Sequence, residues 1–175
     1  MCNNILLSPH FTLAEMYESQ TAEKHGIVNV PSEQEVENLR HLCESTLEPL
    51  REALGLPIVI TSGYRTRELN SLLAHSSKCS QHMVGRAADF YVGSAGQVSG
   101  FNAGLKSELT RRELLVKAFK LILTDPKIDF DQVILYPSFI HVSYVSKEKN
   151  RRKITTANGQ GTYCAVSRAQ ALVIV

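Results

Sequence analysis

Apolar residues recur along this chain with two periods, and each period predicts a different kind of element. Val36, Leu39, Cys43, Leu47, Leu50 and Leu54 follow a three-and-four repeat, which a helical turn gathers into one buried stripe. Ser32-Glu33-Gln34-Glu35 ahead of it fits a capping box, and Gly55 is placed to end the helix. Pro49 lies inside the repeat and is expected to bend or interrupt it. A second core helix is predicted from Leu109 to Thr124, with Leu114, Leu115, Ala118, Phe119 and Ile122 on one face and Thr110 with Glu113 as its cap. Shorter helices are expected over Phe11 to Tyr17, with Thr12 capping, and over Arg67 to Ala74.

β-Branched and alternating runs predict strands at Pro57 to Thr61, Ala87 to Val92, Asp129 to Tyr136 and Phe139 to Val145. The last two are separated by Pro137-Ser138 and read as a hairpin. Gly93 to Gly104 is rich in glycine and small polar residues and reads as a loop excursion. Residues 154–175 are weakly patterned, with one further strand expected around Tyr163 to Val166. The mixture predicts an α+β domain in which a small antiparallel sheet is flanked by helices. Residues 1–175 then form a single domain with its core at about 11–152, and 153–175 read as a tail without an assigned role.

Composition changes this picture little. A chain of 175 residues with 43% hydrophobic and 21% charged residues is of a size and balance to bury one core. A formal net charge of +2 does not argue for nucleic acid or a membrane surface as partner. The basic run Lys147 to Lys153 is accounted for as a solvated loop. Met1 to Pro9 lacks the charged start and apolar stretch of a secretory signal, so the expectation is a chain made in the cytoplasm, monomeric, and able to act elsewhere after release. Cys2, Cys43, Cys79 and Cys164 show no close pairing and read as free thiols. Cys43 falls on the apolar helix face, and Cys79 is near enough to His82 to be weighed as a metal ligand, although a structural role is favoured.

The candidate chemistry lies in Ser80-Gln81-His82-Met83-Val84-Gly85-Arg86-Ala87-Ala88-Asp89 and in Phe139-Ile140-His141-Val142-Ser143. Asp89 shares a strand face with Ala87 and Tyr91, and His141 shares one with Phe139 and Ser143. If the two strands are antiparallel neighbours, Asp89 and His141 sit side by side, and His82 in the preceding turn supplies a third arm, with Gly85 permitting the turn. Two imidazoles and one carboxylate suit catalytic zinc, which keeps a fourth position open. The competing reading makes His82 a loop residue, Asp89 an edge polar group and His141 a satisfied core histidine.

The pattern Ser80-x-His82-x-x-Gly85-x-Ala87-x-Asp89, with Thr61-Ser62-Gly63-Tyr64-Arg65 and Asn70 before it and Phe130-Asp131-Gln132-Val133-Ile134 and His141-Val142-Ser143 after it, resembles the zinc D-Ala-D-Ala carboxypeptidases and their endopeptidase relatives. Those peptidoglycan metallopeptidases share a fold with the hedgehog N-terminal signalling domain. The resemblance extends from about Phe11 to about Arg152. It implies that His82, Asp89 and His141 bind zinc, that Arg65 stabilises a carbonyl oxygen or holds a substrate carboxylate, and that Ser80 supports substrate or a neighbouring ligand. Without that context Arg65 reads as a surface ion pair.

One departure from the family pattern bears on catalysis. Peptide hydrolysis needs a group to take the attacking water's proton, and relatives carry an acidic residue shortly before the last histidine. Ser138 stands there, and no carboxylate lies between Asp131 and His141. Tyr136, with an ordinary pKa of about 10, suits a donor better than a base, and Glu15 or Asp131 is left to be brought close by folding. The expected function is a zinc-dependent peptidoglycan peptidase, a carboxypeptidase or an endolysin-type endopeptidase of phage or prophage type, acting on the stem peptide. The alternative is a zinc-containing module that binds cell-wall or protein partners without turnover.

Overall fold

The computed structural model describes residues 5–74, 76–93 and 110–174. The excursion read over Gly93 to Gly104 falls almost entirely outside the described residues. A two-stranded ribbon, β1 (Leu6–Ser8) and β2 (Phe11–Thr12), leads into α1 (Leu13–Tyr17) and α2 (Gln20–Lys24). The Thr12 hydroxyl and Glu15 carboxylate cap α1 reciprocally, as the sequence predicts. The long apolar repeat becomes α3 (Glu33–Leu42), a π-helical segment over Cys43–Leu47 and α4 (Glu48–Leu54). Leu39, Cys43, Leu47 and Leu50 are fully buried.

Pro49 explains the interruption. Without an N–H it leaves the Ser45 carbonyl unpaired within the helix, and that oxygen accepts from Asp129 N–H at 3.0 Å instead. The Thr46 hydroxyl donates to the Asp129 carbonyl beside it. The expected bend is therefore a wide turn that anchors the loop ahead of a later strand. Gly55 closes α4 in the left-handed region at φ 64°.

Six further strands form one sheet: β3 (Ile58–Ser62), β4 (Ala87–Val92), β5 (Gln132–Leu135), β6 (Ile140–Ser143), β7 (Lys153–Ala157) and β8 (Tyr163–Ala165), in the spatial order β3-β4-β6-β5-β7-β8. Short α5 (Arg67–Leu72), long α6 (Arg111–Thr124) and terminal α7 (Arg168–Leu172) complete the α+β fold. The sheet is mixed rather than purely antiparallel, because β7 runs parallel to β5. The chain leaves β6, crosses the end of β5 and re-enters on its far side. Residues 153–174 are thus not a tail: they supply two strands and a helix whose Ala171 is fully buried. Sequence patterning missed β7 because Lys153-Ile154-Thr155-Thr156-Ala157 is short and mostly polar, and its β5 partners lie about twenty residues away.

The two faces of the sheet differ. Ala88, Phe90, Val92, Val133, Leu135, Ile140 and Val142 belong to the core that α3, α4 and α6 cover. On the other face, register aligns Asp89 with His141, His141 with Ile134, and Ile134 with Thr155. The next row aligns Ala87, Ser143, Gln132 and Lys153. Strand alternation therefore sends one apolar set to the core and places Asp89, His141, Gln132, Lys153 and Thr155, with Ala87 and Ile134, on the opposite face.

Candidate metal centre and cleft

The β4–β6 adjacency on which the ligand set depended is present, and Asp89 pairs directly with His141. His82 reaches them from a 3₁₀ turn, Gln81–Val84, which Gly85 ends at φ 66° with its N–H on the His82 carbonyl at 3.2 Å. A Cβ at Gly85 would overlap the Glu35 carbonyl oxygen, so both the backbone angle and the space call for glycine. His82 is almost fully buried, while Asp89 and His141 keep small exposed edges.

Three atoms face one another: His82 Nε2 and Asp89 Oδ1 at 3.3 Å, His82 Nε2 and His141 Nδ1 at 3.1 Å, and His141 Nδ1 and Asp89 Oδ1 at 2.8 Å. The other ring nitrogen of His82 lies 2.6 Å from the Gly63 carbonyl oxygen. That oxygen only accepts, so Nδ1 carries the proton and Nε2 presents its lone pair to the triangle. Such a backbone partner is the usual support of a ligating histidine. Tetrahedral zinc with bonds near 2.05 Å separates its ligands by about 3.3 Å, so the three observed edges suit that ion, the shortest being slightly tight. The donor set fits zinc.

Electrostatics agree with a charged ligand set. Burial by itself would raise the Asp89 pKa, but the two imidazoles hold the carboxyl well below its ordinary range, so it is ionised. Burial pushes His82 down, against the pull of Asp89, and favours the neutral imidazole that a metal requires. Cys79 is exposed at the rim of the cleft and is not a member of the ligand triangle, which settles its reading as a non-ligand among the described residues.

The triangle opens into a cleft of about 930 Å³. Arg65 lies beside it, largely buried, with Nη2 3.9 Å from Asp89 Oδ2 and Nε without a partner among the described residues. It is therefore not the surface ion pair of the competing reading. Burial lowers its pKa and Asp89 offsets that, and a guanidinium stays charged in either case. Ser80 lines the cleft at the start of the His82 turn.

Of the groups considered for proton transfer, Ser138 and Tyr136 line the cleft, whereas Glu15 and Asp131 do not. Glu15 is occupied by the Thr12 N–H and hydroxyl. Asp131 is fully buried and accepts from Arg151 and Gln81. Burial, together with the neighbouring Tyr163, raises the Tyr136 phenol, so it is a neutral donor. Among the described residues Asp89 is the only carboxylate that lines the cleft.

Two contributors escaped the sequence. Asn29 is buried and donates to the Tyr17 and Tyr64 carbonyls at 2.7 and 3.1 Å while accepting from Thr66 N–H at 2.8 Å. It clamps the backbone on both sides of Arg65. Arg151, read as part of a solvated basic run, lines the cleft on Asp131, and its neighbour Arg152 pairs with Asp129 at 2.6 Å. A lone asparagine among loop residues and a basic run carry no local signal of either role.

A mixed sheet presents a His–Asp–His triangle that could hold a metal ion in an open cleft. The family model for Peptidase M15 matches residues 9–119, and the chain belongs to that family of zinc peptidases. The match includes Arg65, Ser80, His82 and Asp89 and stops before His141, whose place rests on the geometry alone. No curated protein matches the chain in sequence.

Proposed function

We propose that this peptidase is a zinc enzyme that hydrolyses a peptide bond of the bacterial cell-wall stem peptide, with His82, Asp89 and His141 as its metal ligands. The carrying observation is the ligand triangle facing the cleft beside the unpartnered Nε of Arg65. Zinc held there would supply Lewis-acid chemistry, acidifying a water and polarising a carbonyl. Gly63 holds the His82 ring in the ligating tautomer. Arg65 opposes the negative charge that develops on the substrate carbonyl, where a fixed cation in a partly dry site is most effective. Tyr136 offers a second, neutral donor, and Ser80 contacts substrate at the rim. The endolysin-type origin, with action on the wall after release from the cell that made it, follows from the resemblance and is part of the same proposal.

The test is metal content and wall digestion together. Protein purified without added metal is expected to carry one zinc per chain and to release peptides from purified sacculi, and His82→Ala is expected to lose both. Zinc-loaded protein that releases nothing from any wall type overturns the peptidase reading and leaves a recognition module. Proton transfer has its own probe. General acid–base groups contribute roughly 10²–10⁴-fold, so Ser138→Glu is expected to raise turnover by about 10²-fold.

A further inference from the structure

We propose that Arg151 and Lys153 form an anion subsite that holds a carboxylate of the substrate at a distance from the metal ligands. The proposal rests on the cleft being the substrate site. Lys153 and Thr155 lie on the strand face that lines the cleft, and Thr155 shares a row with His141 two strands away. With strands about 4.8 Å apart and a rise near 3.3 Å per residue, Lys153 stands about 12 Å from His141, the span of roughly three to four extended residues. A carboxylate that far along the substrate from the bond beside the metal reaches the subsite.

Arg151 is held more firmly than an exposed arginine needs to be. Its Nε lies 3.0 and 3.1 Å from the two Asp131 oxygens, and its Nη2 contacts Asp131 Oδ2 and donates to Gln81 Oε1 at 3.1 Å. Its backbone N–H donates to Asp131 Oδ1 at 2.8 Å. Gln81 in turn donates to Asp131 Oδ2 at 3.0 Å. Asp131 is fully buried, so the guanidinium has a rigid base, and Gln81, the residue next to His82, ties it to the turn that carries that histidine. Nη1 takes no part in these contacts, and the side chain remains 56% exposed. Asp131 cancels part of the guanidinium charge but leaves oriented N–H donors, and Lys153 adds an ammonium in the same cleft. Arg65, Arg151 and Lys153 make three cations against the single carboxylate Asp89 among the lining residues. Asp131 and Gln81 already occupy Nε and Nη2, so an incoming carboxylate meets the Nη1 donors of Arg151 together with the Lys153 ammonium.

Zinc-loaded full-length chain is titrated calorimetrically with three tetrapeptide probes: N-acetyl tetraglutamate amide, N-acetyl tetraglutamine amide, and N-acetyl tetraglutamine with a free C-terminus. The tetraglutamate amide is expected to bind at least fivefold tighter than the tetraglutamine amide and to shift the Arg151 Nη1 resonances. The free-acid probe shows whether a terminal carboxylate serves as well as a side-chain one. Arg151→Gln is expected to weaken the tetraglutamate probe about tenfold, and Lys153→Gln about threefold. Lys149→Gln, which alters an exposed cation outside the cleft, is expected to change nothing. Lys153 is exposed, so its variant carries the test should Arg151→Gln unfold. Equal affinity for the tetraglutamate amide and both tetraglutamine probes, or equal losses in the Lys149 and Lys153 variants, overturns the subsite. The readout is binding, so failure of wall digestion and failure of the subsite are separately visible.

Discussion

At Gly63 the chain passes so close to Met16 that a Cβ would overlap the Met16 carbonyl oxygen. The same oxygen accepts from Tyr64 N–H at 2.6 Å, and the Gly63 carbonyl fixes the His82 tautomer. One residue without a side chain therefore seats α1 against the end of β3 and orients a ligand. Gly63→Ala is expected to destabilise the fold by about 2–4 kcal/mol and to weaken zinc binding by about tenfold or more through the ligand's backbone partner. Thermal unfolding and a competitive zinc titration read the two effects. Unchanged values in both would remove Gly63 from the site. The motif marked Gly63 and Arg65 as neighbours of chemistry, but the contact that makes glycine necessary comes from a helix 47 positions earlier. Asn29 shows the same limit, since its three partners are drawn from residues 17, 64 and 66.

Among the elements, the crossover from β6 to β7 is held by Asp131. Its carboxylate binds Arg151, and its carbonyl accepts from Lys153 N–H at 2.9 Å, so one residue sets the start of the parallel pair. Burial alone would raise this carboxyl, but its bonds to Arg151 and Gln81 hold it below the ordinary carboxylate value. An unfolded aspartate titrates near 3.9. With the folded value lower, the folded state gives up its proton more readily. The resulting stability is full above about pH 4 and is lost as pH falls through the folded value. Asp131→Asn is expected to cost roughly 2–3 kcal/mol at neutral pH and to flatten the stability profile below pH 4. Denaturant melts of both forms across pH 2–7 check this, and parallel profiles would contradict it. The helices and β4 were legible because caps and apolar repeats are local. β7 was not, because its residues are mostly polar and the parallel pairing to β5 that seats it in the sheet is long-range.

At the scale of the molecule, the three proposed metal ligands come from a turn and two strands that only the folded sheet brings together. An ion bound there favours the folded state over the unfolded chain. At a thousandfold excess over its dissociation constant this linkage amounts to about 4 kcal/mol. For a chain of this length that corresponds to a midpoint shift of roughly 10 °C. Chelation is expected to lower the melting temperature by that amount, restored by zinc, with His82→Ala insensitive to either. A scan in which the chelated and zinc-loaded proteins melt together would argue against a resident ion.

The sequence by itself determined the α+β class, the capped helices, β4 and its neighbouring hairpin, and the closely spaced pair His82 and Asp89 as candidate ligands. Each of these rests on local periodicity or on a motif whose residues are close in the chain. Tertiary structure alone decided that Asp89 and His141 share a register, that β7 joins parallel to β5, and that Asp131 faces Arg151 rather than the His82–Asp89–His141 triangle. Those outcomes depend on contacts between distant segments, which local patterns restrict without choosing among them.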